Sequence, residues 1–146
     1  MAGITLQQAT TIVEAALRKG RETGCAPLAV AVLDAGGHLK AFAREDGAGI
    51  LRPQIATAKA WGALGMGVGS RALARRVTEQ PQQQPFFTAI GAVSEGRLVP
   101  VPGGVLIRDA GGAVIGAVGI SGDVSDKDEA CALAGIAAAQ LAGDTG

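Results

Sequence analysis

Two apolar runs that each double back through a glycine-bearing turn constrain this chain more than any other feature. Pro27–Leu33 (PLAVAVL) is apolar and rich in Val, Asp34-Ala35-Gly36-Gly37 turns, and His38–Arg44 returns with Leu39, Ala41 and Ala43 alternating with Lys40, Phe42 and Arg44. Farther on, Gly103-Gly104 opens Val105-Leu106-Ile107-Arg108, Asp109–Gly112 turns, and Ala113–Ser121 (AVIGAVGIS) returns. Both patterns are hairpins, and hairpins make neighbouring strands antiparallel. Gly116 and Gly119 inside the last run mark a bulge or a close approach by another backbone or a ligand.

Helices must cover such a sheet. Leu6, Ala9, Val13, Ala16, Leu17 and Gly20 recur at helical spacing and predict a helix from Thr5 to about Thr23. Thr5 and Gln8 form a capping box, and Gly24 is a stop. A second helix is predicted over Arg52–Met66, with Pro53 in its first turn and a small-residue face of Ile55, Ala58, Gly62 and Gly65. Ser70 caps a short stretch, Arg71–Arg76. Thr78–Phe87 (TEQPQQQPFF) reads as a surface loop that could serve as a lid, and Thr88–Val93 and Arg97–Val101 as weak extended pieces. Ser125 caps a last helix with Asp128 as the acidic half of the box and Ala130, Leu133, Ala134, Ala137 and Leu141 as its buried stripe. Gly143–Gly146 reads as a frayed tail. The order predicts an α+β domain, an α/β/α sandwich with an antiparallel sheet of about five strands.

The 146 residues suit a single domain, 1–146. Aromatics are only 3% of a chain that is 48% hydrophobic, so Ala, Val, Leu and Ile must build the core. The surplus of apolar surface predicts contact with further copies of the chain, a homodimer or larger. Thirteen basic and thirteen acidic residues cancel, which leaves no basic field for nucleic acid and no polybasic membrane patch. Met1-Ala2-Gly3-Ile4 lacks a signal-peptide pattern, and no apolar window is long enough to span a bilayer, so the cytoplasm is expected. Cys25 and Cys131 match no zinc or redox spacing and read as buried reduced thiols. Gly67-Val68-Gly69 is no phosphate loop, and Gly-x-Ser-x-Gly is absent.

Three segments carry a resemblance. They are Ala29–Arg44 (AVAVLDAGGHLKAFAR) with the acidic loop Glu45-Asp46-Gly47, Ile55–Ala60 (IATAKA), and Gly103–Glu129 with its Gly-Gly-Val turn, VIGAVGISG run and acidic helix start. In this order the chain resembles the haem-degrading GlcG/HbpS-like family. The resemblance implies a profilin-like antiparallel sheet between helices, dimers or larger assemblies, and haem or small organic ligands as partners.

His38, the only histidine, is a candidate haem or metal ligand or general base, or simply a turn residue. Lys59 could hold a carboxylate or act as an amine of lowered pKa, or stand exposed. Gly103 and Gly104 could form an anion nest or a plain turn. Arg44 and Arg52 could pair with Asp46 or clamp a substrate carboxylate. Asp126 and Glu129 could share a hard cation, as the resemblance to an iron-binding D-x-x-E pair implies, or serve as helix N-terminal anions. Phe86 and Phe87 could close over a planar ligand or meet a second subunit; Trp61 reads as core or interface. Three functions fit these residues. One is a small-ligand binding protein for haem or an organic acid. Another is a cofactor-independent isomerase, decarboxylase or hydrolase acting on a small carboxylate, with Lys59, His38 and Asp46 as its catalytic groups. The third is a structural accessory subunit in a stable complex with a partner protein.

Overall fold

In a computed structural model, residues 3–146 are described; Met1 and Ala2, part of the N-terminal segment read above, lie outside them. The chain runs α1 (Leu6–Glu22), β1 (Ala29–Asp34), β2 (Leu39–Arg44), α2 (Arg52–Met66), α3 (Ser70–Glu79), a 3-10 turn (Pro81–Gln83), α4 (Gln84–Val93), β3 (Gly104–Arg108), β4 (Val114–Ser121), α5 (Ser125–Ala138) and β5 (Ala142–Asp144). The strands form one sheet in the order β2-β1-β4-β3-β5, and every pairing is antiparallel.

Strand alternation sorts the core into two unlike halves. Val30, Val32, Val105, Ile107, Val118 and Ile120 point to the face covered by α1 and α5, where Ile12, Leu28 and Ile136 complete a thick aliphatic layer. The opposite face presents Ala29, Ala31, Leu33 and Ala117 to α2. That face is so thin that α2 lies backbone-close to the sheet. A Cβ at Gly119 would overlap the Ala56 carbonyl, and one at Gly104 would overlap the Lys59 carbonyl. Gly119 therefore marks a close approach by another backbone. Close packing of small residues is what holds Lys59 over the sheet.

Several local expectations need correction. The stretch over 78–93 is helical, because Pro81 and Pro85 sit in the first turns of helices, where a missing N–H costs nothing. Ser70 does not cap α3; Gly69 does, and the Ser70 hydroxyl turns inward. Val124, not Ser125, is the N-cap of α5. The buried face of α5 is Asp128, Cys131, Ala132, Gly135 and Ile136, and Ala130 and Ala137 are exposed. The C-terminal tail is not frayed at its start: Ala142–Asp144 pairs with β3, and Arg108 Nε donates to Asp144 at 2.9 Å. On α2 the buried face is Ala56, Lys59, Ala60 and Ala63 together with Ala58 and Gly62, while Gly65 is exposed.

Candidate functional site

Edge strand β2 and helix α2 leave a groove of about 610 Å³ between them. Leu39 and Phe42 of β2 and Pro53 and Ala58 of α2 make its apolar walls, Gln54 and Thr57 line it with polar groups, and the segment after α4, Glu95-Gly96-Arg97, closes one side. Leu39 and Phe42 remain exposed because β2 is an edge strand with no helix over this end. That segment is turned sharply by Glu95 and Gly96, both in the left-handed region (φ 58° and 77°).

Trp61 ties the groove together. A Cβ on Gly37 would lie 3.0 Å from its indole Nε1, so the ring rests against the β1–β2 turn. The Arg97 guanidinium stacks over the same ring at 4.1 Å from its centre. His38 stands in that turn, immediately before Leu39, with its side chain 81% exposed. Its Nδ1 is 3.3 Å from Asp34 Oδ1. The same carboxylate oxygen accepts the backbone N–H groups of Gly36 and His38, each at 3.0 Å. The His38 N–H leads in holding Asp34 below the usual carboxylate range. An imidazole backed by a carboxylate on Nδ1 keeps Nε2 for a metal or a substrate proton.

Lys59 is elsewhere. It is 2% exposed and enclosed beneath the β3 entrance. Its Nζ donates to the Ile120 carbonyl at 2.9 Å and to Asp128 Oδ2 at 3.2 Å. Burial pulls the amine's pKa down, and the Asp128 charge opposes that shift. Burial likewise raises Asp128, whose other oxygen accepts the Asp123 N–H at 3.0 Å. Lys59 is neither exposed nor aimed into an open cavity. The glycine pair does lie beside it: a Cβ on Gly103 would come within 2.8 Å of Lys59 Nζ. Gly103 has φ 122°, and the Gly104 N–H donates to Ser70 Oγ at 2.7 Å. That N–H is thus committed within the protein rather than free for an anion.

The other candidates are dispersed. Asp46 follows β2 at the end opposite His38, about 20 Å away for a six-residue strand. It lines a polar groove with Arg21, Arg44 and Glu45. Arg52 donates to Ser121 Oγ at 3.1 Å. Arg71 holds both Asp126 and Glu129, the latter through Nε and Nη2 at 2.9–3.1 Å. Those two carboxylates therefore serve an interhelical ion pair, and no cluster of three or more His, Cys, Asp or Glu fit to hold a metal occurs among the described residues. Phe87 is buried with Arg76 over its ring, and Phe86 meets it edge-on at 5.5 Å. Neither lines the β2–α2 groove. So the structure gathers Lys59 with Gly103 and Gly104, and keeps His38 and Asp46 apart from them and from each other. Sequence reading missed Asp128 as the partner of Lys59, Arg71 as the partner of Asp126 and Glu129, and Arg97 altogether. The Lys59–Asp128 pair left one signal, a lone lysine among alanines and an acidic helix start.

The fold and site define a small α/β/α protein with a ligand-sized groove on one sheet edge. Residues 4–137 match the family described as haem degrading protein HbpS-like, and the chain belongs to that family. No curated protein matches it in sequence. Among solved structures it is similar to the PduOC:heme complex, with TM-score 0.83, 24% identity, and coverage of 96% of this chain and 97% of that one. It is also similar to Klebsiella pneumoniae protein ORFY (TM-score 0.82, 27% identity, 94% and 90% covered) and to HbpS (TM-score 0.77, 28% identity, 94% and 90% covered).

Proposed function

We propose that this protein binds haem, or a planar relative of it, in the groove between β2 and α2, with His38 as the iron donor. One observation carries the reading. The chain's only imidazole stands one residue before Leu39, which lines the apolar groove, and has a carboxylate behind it. Haem iron takes imidazole, thiolate, thioether or phenolate donors. The chain has no tyrosine, both cysteines are buried, and Met66 does not line the groove. His38 is exposed and its Nε2 faces away from Asp34, so the donor set fits. A groove of about 610 Å³ is of ligand size. Family membership and the heme named for the similar PduOC structure support the same ligand.

Bound haem would supply an iron centre able to bind and activate small molecules. The chain's own residues do the rest. Leu39, Phe42, Pro53 and Ala58 cover an apolar ring face and exclude water there. Asp34 fixes the imidazole orientation. Exposed Ile50, Leu51 and Val93 support a second copy covering this part of the surface. We assign the protein to the cytoplasm, which unbridged Cys25 and Cys131 support.

Titration of the purified protein with haemin tests this. The expected result is a saturable Soret shift at one haem per chain, with affinity about tenfold or more weaker in His38→Ala and a lesser loss in Asp34→Asn. A wild-type spectrum and affinity in His38→Ala would overturn the iron donor. No Soret change with wild type would overturn haem as the ligand.

A further inference from the structure

Arg97 is the arginine that lines the β2–α2 groove. Arg21, Arg71 and Arg108 each meet a carboxylate of the chain itself. Arg52, Arg75 and Arg76 donate to a hydroxyl, a carbonyl and an amide oxygen. Arg97 has no carboxylate partner among the described residues, yet it is held in place from two sides. Its guanidinium carbon lies over the Trp61 ring, 4.1 Å from the ring centre, and its Nε donates to the Ser94 carbonyl at 2.9 Å. Both contacts leave the two terminal nitrogens free, and those are the pair that binds a carboxylate in bidentate fashion. The residue lines a groove whose walls are otherwise mainly apolar.

We infer that Arg97, fixed on Trp61, is the carboxylate anchor of the groove, which therefore selects a flat apolar ligand bearing a carboxylate at its edge. This rests on the groove being the ligand site proposed above. Preorganisation matters because an anchored guanidinium loses little freedom on binding. Glu95 lines the same groove without pairing to Arg97, so its charge opposes a ligand carboxylate and holds the affinity down.

The test uses iron-free probes, so that His38 takes no part. Protoporphyrin IX, a dicarboxylate, and its dimethyl ester are each titrated against the protein. Binding is followed by quenching of Trp61, the only tryptophan, and by porphyrin absorbance. Wild type should prefer the diacid by about tenfold or more, the worth of a charge-assisted hydrogen-bonded pair. Arg97→Gln should abolish the preference by weakening the diacid alone, and Arg97→Lys should recover part of it. Glu95→Gln should tighten the diacid. Equal affinity of wild type for acid and ester, equal loss of both in Arg97→Gln, or binding of neither would overturn the anchor. Failure of the haemin titration alone would remove the iron donor and leave this preference standing.

Discussion

The Lys59 amine stands 3.2 Å from Asp128 Oδ2 with both side chains all but sealed from water, and this contact joins α2 on one face of the sheet to α5 at its far side. Two long helical layers otherwise touch different faces of the strands. The pair also receives the Ile120 carbonyl and the Asp123 N–H, so most of its polar atoms are satisfied. Removing one member strands the other as a buried, uncompensated group.

Lys59→Ala should therefore destabilise the protein by about 3–5 kcal/mol. Urea unfolding of Lys59→Ala, Asp128→Ala and the double variant measures it. The double variant should lose much less than the sum of the singles, because a buried pair removed whole takes its desolvation cost with it. An additive cycle would mean that the two groups do not interact.

Backbone contact between α2 and the sheet predicts a contrast between two glycines. Gly119→Ala forces a methyl into the Ala56 carbonyl and should cost about 3 kcal/mol or more. Gly91→Ala in α4 meets nothing within 4 Å and should stabilise by about 0.5–1 kcal/mol through helix propensity. Thermal and urea midpoints of the two variants should move in opposite directions.

Ser70 supplies the hydrogen bond that the buried Gly104 N–H would otherwise lack, at 2.7 Å. Ser70→Ala leaves that donor unsatisfied and should cost about 1–3 kcal/mol in urea unfolding. Ser70→Thr keeps the hydroxyl but adds a methyl at a fully buried position, so it should not restore wild-type stability.

The Arg108 guanidinium, helped by the Gly146 N–H, holds Asp144 below the usual carboxylate range. A depressed carboxylate stabilises the fold above its unfolded pKa of about 4 and loses that contribution as pH falls through the folded value. Urea midpoints measured from pH 6 down to pH 2 should therefore fall less steeply in Asp144→Asn than in wild type. The pair is partly exposed, so the difference should be about 1 kcal/mol or less.

What could be read beforehand divides along physical lines. Hairpin turns and the α2 bounds were legible because alternation, Asp-Ala-Gly-Gly and Pro53 are local signals. The order of hairpins and helices gave the layered sheet for the same reason. The phase of α5 was not legible, since small residues, chiefly Ala, run around every side of its second half and leave almost no contrast between its faces. Pro81 and Pro85 read as breakers because the sequence does not say whether a proline starts a helix or ends one. At the site, His38 stood out as a lone imidazole. Arg97 did not, because α3 and α4 separate it from its partner Trp61 in sequence and only the fold brings the two together. Lys59 was conspicuous, but its partner Asp128 was hidden behind a plausible role as a helix cap.

Cys25 and Cys131 end in sulfurs 4.0 Å apart, both buried, which is contact without a bond. Burial pushes the Cys131 thiol up to about 12, and the neighbouring Cys25 adds to the shift. Alkylation needs the thiolate, and at pH 8 that form is scarce for a thiol titrating so far above it. Access is closed as well, since Cys131 faces α1 across the core layer. Iodoacetamide at pH 8 should therefore leave the native protein unmodified by intact mass and add two carbamidomethyl groups in urea. Rapid labelling of the native chain at Cys131 would mean that α5 opens from the core on its own, and the layer drawn around Ile12, Leu28 and Ile136 would have to be looser than the packing here requires.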